Sequence, residues 1–218
     1  MNRKGEWTPR LRWLPLVVLA LGLLSTAGAT YTLADVSKSR STLRFATIVA
    51  ETQASIEGRI DAQVSLLRGV AGLIAADPDL DRDDFARYVE RLSLERHYPG
   101  VQGVGFAARV RPEARAAFEA RARARGVEGF RIWPEGPRDE YHCILFLEPL
   151  DRRNLAAIGY DMATEPTRRE AMERARDSGE AALSGPVVLV QELGAQQQTG
   201  FLIYLPIYEG GDVPASEA

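Results

Sequence analysis

The side chains that most often carry enzyme chemistry are few in this sequence and are poorly spaced for it. The chain has two histidines, His97 and His142, and one cysteine, Cys143. Histidine and cysteine ligands of a zinc ion recur at short fixed spacings, which these three residues do not form. No serine lies in a Gly-x-Ser-x-Gly nucleophile turn, and Ser184 precedes a Gly-Pro pair that is typical of a tight turn. The sequence therefore predicts no nucleophile, no metal site and no bound cofactor.

Carboxylates are the remaining groups that could do acid–base chemistry. Glu148, Asp151, Asp161 and Glu165 fall within one stretch of the chain. Two carboxylates can act together as acid and base, but Asp and Glu are also common at turns and at the starts of helices. Because Glu165 lies between Thr164 and a proline, it reads as part of a helix start. We interpret these carboxylates as caps and ion-pair partners and predict no catalytic residue.

Recognition is the chemistry that this region favours. Its aromatic and sulfur-containing side chains lie near predicted strands: Tyr141, Phe146, Tyr160, Met162 and Tyr204. Together with Arg168, Arg169 and a few carboxylates they could line a pocket that is mostly apolar and has a few placed polar groups. The alternative, that the aromatic residues are ordinary core, stays open at this point.

An uncharged segment near the start of the chain predicts a membrane anchor. Residues 14–34 contain no charged side chain, and 21 residues of helix span about 31 Å, which matches a hydrocarbon core of roughly 30 Å. Four basic residues precede the segment, against one acidic residue. The positive-inside rule then leaves residues 1–13 in the cytoplasm and exports the rest. We therefore expect a single-pass protein of the cell inner membrane with a periplasmic or extracellular domain.

A cleaved signal peptide is the alternative interpretation of the same segment. Residues 14–24 resemble the apolar region of such a peptide, and Ala27-Gly28-Ala29 resembles a cleavage site. The uncharged stretch continues to Ala34, which favours an uncleaved anchor. Either interpretation exports the remainder, which carries more acidic than basic residues. That charge balance argues against nucleic acid as a partner.

The anchor leads into a long helical pattern, which we predict over residues 36–76 as a stalk. Its apolar residues recur at spacings of three and four: Ile56, Ile60, Val64, Leu67, Val70 and Ile74. This stripe either packs on the chain's own domain or pairs with a second copy. Pro78 cannot continue the helix. Asp81 then has the pattern of an N-cap, with two further acidic residues in the first turn of the next helix.

The rest of the chain predicts a mixture of strands and helices. Strands are predicted at residues 101–110, 130–133, 142–147, 186–191 and 201–207, with helices at residues 113–125 and from Pro166 to about residue 177. A polar hairpin loop is predicted near residues 194–199, and Gly179 fits the position that follows a helix. Gly103 and Gly105 lie in the first strand and indicate a bulge or a close backbone approach. This order is typical of an α+β fold with an antiparallel sheet and helices to one side.

Several blocks of this sequence, taken together, resemble the CHASE domain. This domain is an extracytoplasmic sensory module of receptor histidine kinases and of diguanylate and other cyclic-nucleotide signalling proteins. The resemblance covers about residues 45–208 and leaves a polar tail at residues 209–218. The blocks are Tyr98-Pro99-Gly100-Val101-Gln102-Gly103-Val104-Gly105-Phe106, Leu147-Glu148-Pro149 with Arg153-Asn154, Gly159-Tyr160-Asp161-Met162, Arg168-Arg169-Glu170-Ala171-Met172, Ala175-Arg176-Asp177-Ser178-Gly179, Gln191-Glu192, and Gly200-Phe201 through Tyr208.

The resemblance implies a stalk helix followed by two PAS-like antiparallel-sheet subdomains, usually dimeric through the stalk. It also implies that the domain binds a small molecule outside the cell and signals through the membrane. The output, a histidine kinase or a nucleotide cyclase, would be a module that this chain does not contain. The chain itself is then not an enzyme. Plant cytokinin receptors are the members of this family with known ligands.

The pocket residues that the resemblance implies match this sequence only in part. The pocket methionine corresponds to Met162, the backbone contact to Val190 and the hydroxyl contact to Tyr204. Where cytokinin-binding members have an aspartate that holds the purine, this chain has Arg168. A guanidinium donates hydrogen bonds where a carboxylate accepts them, so we expect a ligand other than cytokinin. Arginine suits carboxylates, which predicts an anionic ligand.

Three functions are therefore compared. The first is a ligand-sensing domain with a site formed by Tyr141, Phe146, Tyr160, Asp161, Met162, Arg168, Val190 and Tyr204. The second is a protein-interaction module whose pocket is filled. The third is a periplasmic hydrolase, for which the sequence offers neither a nucleophile nor a metal.

Overall fold

The computed structural model describes residues 13–188, 199–208 and 210–211, except for the side chains of residues 32–43. The chain forms two compact units, residues 1–58 and residues 59–218. Helix α1, Leu14–Ala76, contributes to both. Most of the predicted cytoplasmic segment and most of the predicted polar tail lie outside the described residues, as does Val190.

In the first unit, one part of α1 has the composition of a membrane-spanning helix. Residues Leu14–Tyr31 have a mean hydropathy of 1.7, and none of this segment is buried within the protein. Farther along the helix, Phe45, Ile48, Val49 and Ile56 are also exposed. By length and composition, the first segment can cross a membrane, as the sequence predicts.

Helix α1 ends at Ala76, before Asp77 and Pro78. In the second unit, its Leu66 and Val70 are buried and Leu67 and Ile74 pack beside them, so this part of the apolar stripe lies on the chain's own domain. Helix α2, Arg82–Leu92, begins where predicted, because the Asp81 carboxylate accepts a hydrogen bond from the backbone N–H of Asp84 at 2.8 Å. A short helix α3, Leu94–His97, follows directly.

An antiparallel hairpin forms the centre of the second unit. Strand β1, Val104–Val110, pairs with β2, Tyr141–Glu148, and the register shifts between Phe106 and Ala107. The connection between the strands carries a 3₁₀ turn, Pro112–Ala114, and helix α4, Arg115–Ala124. A Cβ atom on Gly105 would lie 2.3 Å from the carbonyl oxygen of Phe146. The backbones therefore approach closely at this glycine, as the sequence indicates.

The strand predicted at residues 130–133 is wrong. Phe130 and Ile132 are buried, which explains their alternation, but their backbone groups bond to side chains of α4. The N–H of Ile132 donates to Glu119 Oε1 at 3.0 Å, and its carbonyl accepts from Arg115 at 3.0 Å. Trp133 alone pairs as a strand residue, in an isolated parallel bridge with Tyr160. Alternating burial therefore arose here without a neighbouring strand.

The remainder of the second unit is a series of short elements. They are helix α5, Arg152–Ala157, a 3₁₀ turn, Met162–Thr164, helix α6, Pro166–Ser178, and strands β3, Ala182–Leu183, β4, Val187–Val188, β5, Thr199–Gly200, and β6, Ile203–Tyr204. Helix α6 has the predicted Pro166 in its first turn. It ends at Ser178 and is followed by Gly179, whose φ is 74°. Strand β3 pairs with β6, and β4 pairs with β5, both antiparallel.

The α+β class is confirmed, since helices accompany small antiparallel sheets. Two details of the order differ from the sequence-based expectation. Helix α5 was not predicted, and the strands predicted at residues 186–191 and 201–207 are only two residues long where described. Most of the predicted hairpin loop between them lies outside the described residues.

Gly159 is required by both its backbone angle and its surroundings. Its φ is 79°, and an added Cβ would lie 2.0 Å from the carbonyl oxygen of Arg131. We expect Gly159→Ala to lower the free energy of unfolding by about 1 kcal/mol for the left-handed conformation, plus about 2 kcal/mol for overpacking. Gly126→Ala is the control, because Gly126 has φ 88° but no atom within 4 Å of its Cβ position. Urea unfolding compares the two, and equal losses would contradict the packing argument.

Candidate ligand-binding site

The β1–β2 hairpin has a hydrophobic core on each of its two sides. Successive side chains of a strand point to opposite faces. In β2 the register shift leaves Leu145 as an extra residue between the partners of Phe106 and Ala107, so the alternation reverses there. One face carries Phe146, whose ring stacks on Phe85 of α2 at 5.3 Å between centroids. A second cluster contains Ile144, Leu147, Ala157 and Met162, with half-buried apolar residues packed against it. Those half-buried residues are Ala107, Ile158, Tyr160, Met172 and Tyr204. This second core contains three of the predicted site residues.

The Gly159–Asp161 segment is bonded to the hairpin on one side and to Trp133 on the other. The N–H of Gly159 donates to the carbonyl of Ile144 at 2.8 Å, and the N–H of Ile144 donates to the carbonyl of Tyr160 at 3.1 Å. On the other side, the N–H of Asp161 donates to the carbonyl of Trp133 at 2.7 Å. These bonds fix the position of the residues that lead into the 3₁₀ turn of Met162.

Asp161 caps that turn from a fully buried position. Its carboxylate has 0% exposure, and Oδ1 accepts hydrogen bonds from the backbone N–H of His142 at 2.9 Å and of Ala163 at 3.2 Å. The other oxygen, Oδ2, lies 3.4 Å from Nε of Arg138. A buried carboxylate needs such partners, because its desolvation costs several kcal/mol. Asp161 therefore holds β2 and the 3₁₀ turn in a fixed relation.

Arg168 is the buried cation of the second core. It is 3% exposed in the first turn of α6, and its guanidinium lies 5.4 Å from the ring centroid of Tyr160. Nη2 donates to the carbonyl of Val188 at 3.2 Å, whereas Nε is buried and has no hydrogen bond to the part of the chain that the structure describes. Within the described residues, its guanidinium has no ion pair with a carboxylate. A buried guanidinium without a counter-charge is costly, so this position favours an anion.

Glu165 is nearby but is occupied by the backbone. Its carboxylate accepts hydrogen bonds from the N–H groups of Thr167 at 3.1 Å and Arg168 at 2.8 Å. Burial raises the pKa of Glu165. These hydrogen bonds and the charge of Arg168 lower it by more, so the pKa lies below its usual range. The N-terminus of α6 is therefore already capped, and an anion would have to use the side chain of Arg168.

Tyr204 completes the group around Met162. Its hydroxyl lies 3.7 Å from the Met162 sulfur. Burial raises the pKa of Tyr204 well above its usual value, although the charge of Arg168 opposes this. The phenol therefore stays protonated at neutral pH and can donate a hydrogen bond to a ligand.

An open cavity of about 2680 Å³ in the second unit is lined by residues of both cores. Ligand pockets are usually about 300–1,000 Å³, so a small molecule would fill only part of it. Four of the predicted site residues line it: Phe146, Met162, Arg168 and Tyr204. Apolar residues that we did not include in the predicted site also line it, namely Ala107, Ile144, Leu147 and Met172. Helical spacing from Arg168 would have identified Met172, whereas Ile144 and Leu147 lie three residues apart and do not follow the alternation of a regular strand.

Three predicted site residues do not line this cavity, and Val190 lies outside the described residues. Tyr141 belongs to the first core, where its hydroxyl donates to the carbonyl of Gly136 at 3.0 Å. The ring of Tyr160 lies between the guanidinium of Arg168, at 5.4 Å, and the ring of Trp133, whose centroid is 4.8 Å away. Asp161 is enclosed as described above. A ligand contact by any of these residues stays a prediction.

The role of Asp161 can be measured by removing its charge. We expect Asp161→Asn to lower the free energy of unfolding by roughly 2 kcal/mol, because Arg138 loses its buried counter-charge while retaining some solvent. Asp151→Asn is the control. Asp151 is exposed and caps α5 by accepting from the N–H groups of Arg153 and Asn154 at 2.9 and 2.8 Å, and asparagine caps equally well.

Chemical denaturation of both variants measures these changes. A loss for Asp161→Asn no greater than that for Asp151→Asn would show that the buried charge has no structural role.

Comparison with known proteins identifies the family. The family model of the CHASE domain matches residues 78–218. Two similar proteins come from Oryza sativa subsp. japonica. Probable histidine kinase 4 is 31% identical over 132 residues, which are 60% of this chain and 12% of that protein. Probable histidine kinase 6 is 26% identical over 211 residues, which are 93% of this chain and 21% of that protein.

This chain therefore spans between about an eighth and a fifth of the lengths of these relatives. The family match covers more than half of the chain and most of its second unit. A CHASE domain is a sensor domain and is extracellular in receptor kinases. The chain belongs to the CHASE domain family.

Proposed function

We propose that this chain is the extracytoplasmic sensor part of a membrane receptor and that it binds a small anionic molecule through Arg168. The observation that carries this proposal is the buried guanidinium of Arg168, which has an unbonded Nε and no ion-pair partner within the described residues. A carboxylate would supply the missing charge and accept two hydrogen bonds from one edge of the guanidinium.

The rest of the ligand has an apolar body. The second core contributes Met162, Ile144 and Leu147 to the cavity that Arg168 also lines, and the phenol of Tyr204 is a polar donor in the same cavity. A pocket of this kind binds the body of a ligand by burial and orients it by a few polar contacts. A neutral purine such as a cytokinin lacks the negative charge that Arg168 requires.

The signal passes from this site to α1 through the hairpin. Ile144 and Phe146 lie on the same strand, the first in the second core and the other in the first core, where Leu66 and Val70 of α1 are packed. A ligand that binds one arrangement of the hairpin more tightly shifts the population of the matching arrangement of α1. The segment Leu14–Tyr31 then carries the change across the inner membrane.

The receptor acts as a dimer through α1. Exposed apolar side chains at Phe45, Val49 and Ile56 follow spacings of four and seven residues, as expected for a helix that pairs with a second copy. The output is a histidine kinase, as the names of the two relatives suggest. Sensing is then the activity of this chain, and catalysis belongs to the output module.

Calorimetric titration of the full chain in detergent micelles tests the anion site. The probes are hexanoate, benzoate and inorganic phosphate, with hexanol and adenine as uncharged comparisons. We expect a carboxylate to bind and its uncharged analogue to fail. Arg168→Met should weaken carboxylate binding by at least about thirtyfold, since leaving a buried charge-assisted contact unmade costs 2 kcal/mol or more.

Arg87→Met is the control, because Arg87 is exposed on α2 and is not among the residues that line this cavity. We expect this variant to bind within about twofold of the unaltered chain, because exposed charges contribute little. Unchanged carboxylate affinity in Arg168→Met, or binding of adenine alone, would contradict the proposal.

A further inference from the structure

His142 occupies a charged position at the edge of the second core, and the proposed anion site does not use it. It lies on β2 directly opposite Arg109 of β1, and it lines the open cavity with a side chain that is 21% exposed. The chain has only one other histidine, His97, which is exposed. Histidine is the side chain whose ordinary pKa allows it to change charge in mildly acidic solution.

The hydrogen bonding around His142 is incomplete. Its Nε2 lies 3.5 Å from Oε1 of Glu140, whereas its Nδ1 is buried and has no hydrogen-bond partner among the described residues. Asp161 Oδ1 accepts from the backbone N–H of the same residue, and Asp161 Oδ2 is also buried with no hydrogen bond from the residues that the structure describes. A neutral imidazole has one N–H, but a protonated imidazole has two. Only the protonated ring can therefore donate to both carboxylates.

Charged groups from several elements surround the ring. Glu140 precedes β2, Asp161 precedes the 3₁₀ turn, Arg109 is on β1 and Arg176 is on α6. Burial lowers the pKa of His142 below its ordinary value, the two carboxylates oppose this, and the two arginines reinforce it. The ring is therefore neutral at pH 7, and moderate acidity is needed to charge it. Arg138 lies beyond Asp161, 3.4 Å from its Oδ2.

We propose that the proton is a second input to this sensor domain and that His142 receives it. A proton taken from solvent adds to Nδ1 of His142, and the new N–H turns towards Oδ2 of Asp161. Within the described residues, Nδ1 and Oδ2 are not hydrogen-bonded to each other while the ring is neutral. The ring must therefore move to form this bond. The new bond competes with Arg138 for the same carboxylate oxygen.

The consequence reaches the proposed anion site through the cap of the 3₁₀ turn. Asp161 Oδ1 accepts from the N–H of Ala163, next to Met162. A carboxylate that shifts towards His142 changes this bond and thereby the position of the Met162 side chain against Tyr204. External acidity and the anion then act on the same turn, which makes their effects on the domain interdependent.

Nuclear magnetic resonance of a His97→Gln variant tests the proposal directly. The variant leaves His142 as the only histidine in the chain and leaves the cluster around it unaltered. With the full chain in detergent micelles and no tag, the imidazole signals and the amide signal of Ala163 are followed between pH 7.5 and pH 5. We expect the ring to titrate below about 6.5, the ordinary histidine value, and the Ala163 amide to move with the same midpoint.

An imidazole that titrates at its ordinary value without moving the Ala163 amide would overturn the proposal. So would a ring that stays neutral throughout this range. In a second variant, His142→Gln, the Ala163 amide should no longer respond to pH, and a response that persists there also overturns it.

The pH dependence of the free energy of unfolding gives a second test. Because the pKa of His142 is lowered in the folded chain, unfolding takes up a proton when the pH is between that value and about 6.5. The free energy of unfolding therefore falls as the pH drops through this window, and it is constant above it as far as this residue is concerned. We expect His97→Gln to retain the fall and His142→Gln to lose it, and the same fall in both variants would count against His142.

Discussion

The buried carboxylate of Asp161 is the contact on which the organisation of the sensor unit depends. It joins three parts of the chain that are distant in sequence, through the N–H of His142, the N–H of Ala163 and the guanidinium of Arg138. A carboxylate with no exposed surface is stable only with such partners, because desolvation strongly disfavours its charge. The same groups therefore fix where β2 lies, where the 3₁₀ turn begins and where Met162 is placed.

The β1–β2 hairpin contributes side chains to both hydrophobic cores. Residues on its first face pack with Leu66 and Val70 of α1, and residues on its second face pack with Met162 and Tyr204. Packed cores respond to a ligand by changing between discrete arrangements more readily than by continuous deformation. The hairpin therefore connects the second core to the part of α1 that belongs to the second unit.

The sequence predicts the ends of the helices better than the pairing of the strands. Pro78, Asp81, Pro166 and Gly179 act locally, through a missing N–H, a side-chain cap or a positive φ, and each marks a helix end in the structure. The alternating burial at residues 130–133 predicted a strand, but the backbone there bonds to side chains of α4. A tertiary contact of this kind has no periodicity in the sequence.

In the candidate site, too, the sequence predicts some residues and misses features that depend on tertiary contacts. The resemblance to the CHASE domain brought Met162, Arg168 and Tyr204 together because their blocks recur in the family, and the structure places all three at the second core or its cavity. Tyr141 lies in the first core instead. It is three residues from Ile144 of the second core, and an odd number of residues along a regular strand changes the face. Arg168 is buried and has no ion pair within the described residues. This could not be inferred from its position in the sequence, since it depends on residues that contact α6 from other parts of the chain.

The central claim, that Arg168 receives an anion, is tested most directly by observing its own Nε–H group. Selective ¹⁵N labelling of arginine in the full chain, followed during a titration with hexanoate, reports on this group, and its signal is assigned by its absence from Arg168→Met. The account predicts a saturable shift of this one Nε–H signal and slower exchange of its proton with water. A signal that is unchanged at saturation by a bound carboxylate would contradict it.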